Sequence, residues 1–205
     1  MIDIDGDVVE TCKKMFPTIA CAYDDPRVNL IIGDGLKFVR EYDVEKLGGF
    51  DVIVVDSSDP VGPAEGLFSA DFYAAAEKIL NPDGVIGAEG ETFWIGTKMI
   101  LDMMGSHFKP YALGQYCAFG IPTYPCGDCG IFLGRKEGKL GKFTMSEPIL
   151  DSKIEGLRYY TPDMHRSAFA LPAQLRNKLD ALAVDCKELQ TESLWGKNAF
   201  TATGA

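Results

Sequence analysis

The sequence predicts an α/β fold, a doubly wound parallel sheet, on three observations. Short apolar runs alternate with amphipathic stretches along the chain, as expected for strands buried between helices. Gly, Pro, Asn and Asp punctuate the junctions. An acid then follows each of the first four strand ends: Asp3 and Asp5, Asp34, Asp56 and Asp59, Glu89 and Glu91. Those ends form the rim where sheets of this kind bind their ligands.

The elements follow in order. Ile2 and Ile4 close a first strand. Asp7–Met15 has helical spacing, with Val8, Val9, Cys12 and Met15 on one face, and Pro17 stops it. Val28–Ile32 is a buried strand ended by Gly33-Asp34-Gly35, and a helix covers Leu36–Tyr42. Gly48-Gly49 turns the chain into the strand Phe50–Val55. Asp56–Glu65 is a loop, and Ser69–Leu80 a helix with Ser69 as N-cap. Asn81-Pro82-Asp83-Gly84 is a turn before the strand Val85–Ala88, and Trp94–Met104 is helical. Phe93 and Trp94 read as core residues. Tyr111–Phe119 and Gly130–Leu133 form a late antiparallel pair. Leu171–Leu182 is a last helix with Pro172 at its start. Residues 1–190 read as one domain, and the Ser-, Thr- and Gly-rich stretch from Thr191 as a flexible tail.

Composition narrows the function. The 205 residues carry a formal net charge of −10, which argues against a nucleic-acid partner and is compatible with a cationic ligand. Apolar runs such as Val52–Val55 are too short to cross a membrane, and the N-terminus does not read as a signal peptide. The six cysteines are scattered, the pattern of reduced thiols in a cytoplasmic protein. Cys126 and Cys129 make a single CxxC without a second pair. His107 and His165 have no partner at metal-ligand spacing, so no metal is expected, and His165 beside Arg166 reads as structural.

One acid at a strand end is commonly a cap or turn residue; four on one rim call for a ligand. Asp3 suits the hydroxyls of a ribose. Asp34 lies between glycines that let a flat ring approach the backbone, where a carboxylate can accept from an amino group. The loop Asp56-Ser57-Ser58-Asp59-Pro60-Val61-Gly62-Pro63-Ala64-Glu65 is the most informative stretch. Two carboxylates three residues apart, stiffened by prolines, can grip ammonium groups or take a proton from an amine. Ile121-Pro122-Thr123-Tyr124-Pro125 can present one phenol at a fixed place.

The loop 56–65, with Ile31-Ile32-Gly33-Asp34-Gly35, residues 121–125, Tyr159-Tyr160 and Asp163-Met-His-Arg-Ser-Ala-Phe169, resembles the motifs of the spermidine synthases, the polyamine aminopropyltransferase family. The likeness runs in order from the first residues to about Leu182. It implies a Rossmann-like fold of the S-adenosylmethionine-dependent methyltransferase type. It also implies that the chain starts inside the second strand of that fold, without the first strand, the glycine-rich loop and the small N-terminal β-domain. The family's reaction moves an aminopropyl group from decarboxylated S-adenosylmethionine to putrescine. The resemblance implies that substrate pair, no bound prosthetic group, and a homo-oligomer at full length.

By position, the resemblance implies nucleoside contacts from Asp3, Ile4, Asp34, Gly35, Asp56, Ser57, Pro63, Ala64 and Leu67. Asp56 would orient or deprotonate the attacking amine, with Tyr124 beside it. Asp59, Glu89 and Tyr124 would hold the diamine. Glu89 stands where the family often has Gln, and Cys126 and Cys129 depart from the family pattern. Two other functions share these residues: a putrescine N-methyltransferase using S-adenosylmethionine, and a non-catalytic subunit.

Overall fold

The computed structural model describes residues 1–139, 144–148 and 155–184. The tail expected from Thr191, the end of the domain expected at residue 190, and Cys186 lie outside the described residues.

Strand β1 (Ile2–Asp3) pairs in parallel with β2 (Ile31–Ile32), Ile2 opposite Ile31 and Asp3 opposite Ile32. Between them lies α1 (Gly6–Met15), whose N-cap Asp5 accepts from the amides of Asp7 and Val8. Pro17 does end α1, and it also opens the short helix α2 (Pro17–Ala20) at the one helical position that needs no amide donor. The strand predicted over Val28–Ile32 shrinks to two residues. Asp25 accounts for this: it accepts from the Arg27 amide at 2.9 Å and takes the Arg27 guanidinium at 2.9 and 2.7 Å. The Val28 amide then bonds back to Asp25 O at 2.9 Å, so the chain is still turning where the strand was expected.

Helix α3 (Gly35–Glu41) is followed by a short α4 (Val44–Leu47), which was not foreseen. Strand β3 (Phe50–Val55) runs parallel to β4 (Leu80–Gly90), joined by a 3₁₀ segment (Gly62–Phe68) and α5 (Ala70–Ile79). Ser69 caps α5 as predicted, accepting from the Phe72 amide. The turn predicted at residues 81–84 is built as a bulge inside β4. Phe50 pairs with Leu80 but Val52 with Val85. The Asn81 side chain holds the bulge by donating to Gly49 O at 3.1 Å and Asp51 Oδ1 at 2.8 Å.

The helix expected from Trp94 starts later, as α6 (Thr97–Asp102), and ends in a wide turn of π type at Met103–His107. Trp94 is 63% exposed rather than a core residue, while Phe93 packs against the core. Strands β5 (Leu113–Gly120) and β6 (Asp128–Arg135) form the expected antiparallel pair. Two helices follow, α7 (Pro162–Ala168), unpredicted, and α8 (Ala173–Val184), close to the predicted last helix.

The larger sheet has the order β3-β4-β6-β5, so parallel pairing is confined to β1–β2 and β3–β4. The expected break beside β3 is present: among the described residues no ladder joins β1 to β3, and Val52 and Val54 on β3 are 62% and 74% exposed. The core lies on the α5–α6 side of the larger sheet, around Tyr73, Ile79, Ile86, Ile100, Phe108 and Phe132. Burying each such side chain contributes roughly 1.5–3 kcal/mol. The buried Tyr111 hydroxyl is satisfied by donating to Tyr73 O at 2.9 Å. Among the described residues no helix is long and apolar enough to cross a membrane.

Candidate functional site

The β3–β4 pair carries the acids to one place. Strand β3 ends at the buried Val55, and the chain leaves the sheet at the exposed Asp56. The loop beyond is tight: the Val61 amide bonds to Asp59 O at 2.6 Å, and Gly62 adopts φ +63°, which favours glycine. Glu65 closes it by accepting from the Gly62 amide at 3.2 Å. On the neighbouring strand, Glu89 pairs with Ile131 of β6 and Gly90 with Gly130.

Glu89 shows that the carboxylates converge. Burial and the charges of Asp56, Asp59 and Glu91 all raise its pKa above the ordinary glutamate value. Tyr124 belongs to the same group: Glu89 first, then Cys129, burial and Asp56 raise the phenol. A small ring of backbone bonds fixes the Tyr124 loop, Tyr124 N to Ile121 O, Gly127 N to Tyr124 O and Ile121 N to Gly127 O, each 3.0 Å. Among the described residues, the side chains of Asp56, Asp59, Glu89, Glu91 and Tyr124 have no hydrogen bond or ion pair within the protein. Nor does any set of three or more His, Cys, Asp or Glu side chains there come close enough to hold a metal ion. The acids are thus near enough to repel one another, yet spaced for something larger than an ion.

The second half of the predicted site is built differently. Asp3 Oδ1 accepts from the Asp5 amide at 2.9 Å, and Asp3 O from the Gly33 amide at 2.8 Å. Asp34 caps α3, its Oδ1 accepting from Leu36 N at 2.8 Å and Lys37 N at 3.2 Å. One oxygen of each carboxylate is therefore held by backbone, which fixes where the other stands. The 3₁₀ segment lies over the start of α3: a Cβ on Gly35 would stand 3.3 Å from Leu67, and one on Gly66 3.0 Å from Leu36. Asp3, Asp34, Gly35 and Leu67 thus form one linked group, with Ala64 buried, Ser57 half-buried, and Pro63 and Ile4 exposed. Two pieces of chemistry emerge: a cleft edge with oriented acids and small apolar residues, and an anionic corner with a phenol.

Sequence reasoning noted Glu91 only as a strand-end acid and read Cys129 only within a CxxC. Both join the corner. Cys129 is 7% exposed and donates to Gly90 O at 3.5 Å; burial first, then Glu89, Glu91 and Asp128, raise its thiol pKa. Pairing Gly90 with Gly130 across β4 and β6 is the signal that places it there. Cys12, Cys21, Cys117, Cys126 and Cys129 are free thiols. His165 is structural, as expected: Nδ1 lies 3.1 Å from the Tyr160 hydroxyl and Nε2 2.8 Å from Met145 O.

Comparison with known proteins follows the same lines. Residues 1–144 match the family described as spermine/spermidine synthase domain. A polyamine aminopropyltransferase of Thermoanaerobacter sp. (strain X514) is 39% identical over 181 residues, spanning 88% of this chain and 62% of that protein. Putrescine N-methyltransferase 1 of Nicotiana tabacum is 34% identical over 189 residues, 88% of this chain and 50% of that protein. A spermidine synthase in complex with the transition-state analogue AdoDATO superposes with a TM-score of 0.74 at 28% identity, covering 88% of this chain and 60% of that one. The chain spans about half to three-fifths of the length of the relatives it matches.

Proposed function

Since the chain belongs to the spermine/spermidine synthase domain family, we propose that its rim is the transfer site of a spermidine synthase. It would move the aminopropyl group of decarboxylated S-adenosylmethionine to putrescine, giving spermidine and 5'-methylthioadenosine. The observation that carries this reading is the convergence of Asp56, Asp59 and Glu91 on Glu89, with Tyr124 beside them.

The chemistry asks for that arrangement. Putrescine is dicationic near neutral pH, and an ammonium has no lone pair to attack with. One end must be held as a cation while the other loses its proton. Asp59 and Glu89 serve the first need by charge. Asp56 serves the second, accepting the proton while the Tyr124 hydroxyl orients the nitrogen. The freed lone pair forms the new N–C bond as the C–S bond of the sulfonium breaks in line. The departing electron pair leaves a neutral thioether on sulfur. Holding donor and acceptor in that line is the main contribution of the site. No step needs a prosthetic group or a metal.

The nucleoside half suits the donor. Asp3 would accept from the ribose hydroxyls and Asp34 from the adenine amino group. Ile4, Gly35, Ser57, Pro63, Ala64 and Leu67 would enclose the ring and thioether. The free cysteines fit a cytoplasmic protein, and a homo-oligomer follows the family pattern.

The test is product formation by the 205-residue chain, wild type and Asp56→Asn, with each donor. Spermidine from the decarboxylated donor, lost in Asp56→Asn while methylthioadenosine still binds, supports the reading. N-methylputrescine from S-adenosylmethionine would assign the methyltransferase reaction, which the Nicotiana relative makes the runner-up. No product from either donor, with nucleoside binding intact, would make the chain a non-catalytic subunit.

A further inference from the structure

Beside the anionic corner, a surface groove of 470 Å³ runs between the loop after β3 and helix α6. Its walls are Pro60, Phe68, Ile95, Met99 and Met103, with Gly96 at the inner end and Lys98 and Asp102 at the outer. Two contacts tie the groove to the acids. Pro60 follows Asp59 directly. Gly96 lies so close against Glu91 that a Cβ on it would stand 2.3 Å from the Glu91 Cβ. The inner end therefore opens at Asp59 and Glu91, and the outer end carries the carboxylate of Asp102.

Apolar walls with a carboxylate at either end match one ligand chemistry, an aliphatic chain bearing ammonium groups at intervals. Methylenes cover the Phe68, Met99 and Met103 side chains, and charges meet acids at the ends. Asp102 is at present paired with Lys98, one turn away on α6. The Lys98 side chain is 90% exposed, so the pair is a weak surface contact that an incoming ammonium can replace. Ile95, 70% exposed on the groove wall, is covered by nothing in the protein.

We propose that this groove is an extension of the acceptor site, taking the distal arm of a linear polyamine with more than two nitrogens. The proposal rests on the acceptor reading of the Asp56–Glu89 corner. It adds Phe68, Ile95, Met99 and Asp102 as residues that set acceptor length.

Calorimetric titration of the chain with putrescine, spermidine and spermine tests it, without requiring turnover. Three chains are compared: wild type, Ile95→Lys and Lys98→Ala. Both changed side chains are exposed, and neither lies in the acidic corner. Wild type should bind the longer amines more tightly than putrescine. Ile95→Lys places a cation on the wall and should weaken the longer amines by about tenfold, the equivalent of one charge-assisted hydrogen bond, leaving putrescine unchanged. Lys98→Ala frees Asp102 and should tighten the longer amines alone. If putrescine binds but the variants leave the longer amines unmoved, the groove is not a subsite and the corner reading survives. If Ile95→Lys instead changes the oligomeric state in sedimentation, with amine affinities unaltered, the groove is a protein interface. If no amine binds at all, the corner reading falls and the groove with it.

Discussion

The charge of Glu89 is the strongest influence on the Tyr124 phenol, raising its pKa, and Asp56 acts on both residues. Acid and phenol thus form one electrostatic unit. Its unfavourable term is repulsion among the acids, and an ammonium placed among them converts that repulsion into attraction.

That conversion gives a pH prediction. Burial, then Asp56, Asp59 and Glu91, raises Glu89 above the ordinary value of 4.5. Below that value the residue is protonated in folded and unfolded chains alike. As pH rises through the folded pKa, the unfolded chain has already released this proton, so folding loses stability. Glu89→Gln removes the loss. The variant should match wild type in urea unfolding at about pH 4 and exceed it at about pH 7. Saturating putrescine should narrow the gap at the higher pH. A gap of the same size at both values would mean that Glu89 is not repelled by its neighbours.

Asp34 holds two amides of α3 and is also the proposed adenine contact, so the roles must be separated by the choice of variant. Asp34→Ala removes both, with about 1 kcal/mol of capping lost. Asp34→Asn keeps a capping oxygen and changes the charge and the acceptor that faces the ligand. Asp34→Asn should unfold within a few tenths of a kcal/mol of wild type yet bind methylthioadenosine more weakly. Equal affinity in wild type and Asp34→Asn would reduce Asp34 to a helix cap.

How far the sequence carried this picture depends on the range of the forces involved. Helix α5 and its Ser69 cap were readable because a hydroxyl reaches an amide three residues on. The acids at strand ends were readable because a strand end shows in local composition. The late start of α6 was not, since it turns on Gly96 lying against Glu91, a contact made only once β4 is placed. The shortened β2 depended on one ion pair, Asp25 with Arg27, that outweighed an apolar run. Cys129 joined the site through the β4–β6 register, which no local pattern in the sequence displays.

The bulge in β4 rests on another buried pair. Arg135 Nη1 donates to Asp83 Oδ1 at 2.8 Å, with side chains 6% and 16% exposed, and the Lys139 amide donates to Asp83 Oδ2 at 2.7 Å. Asp83 also adopts φ +66°, which Asn tolerates better than Ala. Asp83→Ala leaves the Arg135 charge with a lost partner in a strained turn and should cost about 3 kcal/mol or more. Asp83→Asn should cost less than half as much in the same urea titration. Near-equal losses would place the stability in the backbone turn rather than in the pair.

The cysteines near the site should divide sharply in reactivity, because thiolate content and access govern attack by a thiol reagent. Burial pushes the Cys117 thiol up to about 12, with Cys129 adding to it. The Cys129 thiol is raised by the same burial and by Glu89, Glu91 and Asp128. Cys126 is exposed, beside Pro125 in the Tyr124 loop, and holds φ +64°. An aromatic disulfide reagent should therefore label Cys126 in the native chain and reach Cys117 and Cys129 only on unfolding. Cys126→Gly should remove that label and stabilise the fold by about 1 kcal/mol, since glycine accepts the left-handed conformation without strain. Rapid native labelling of Cys129 would show that the corner beneath Glu89 opens to solvent, and that the repulsion raising Glu89 is relieved by motion rather than by a ligand.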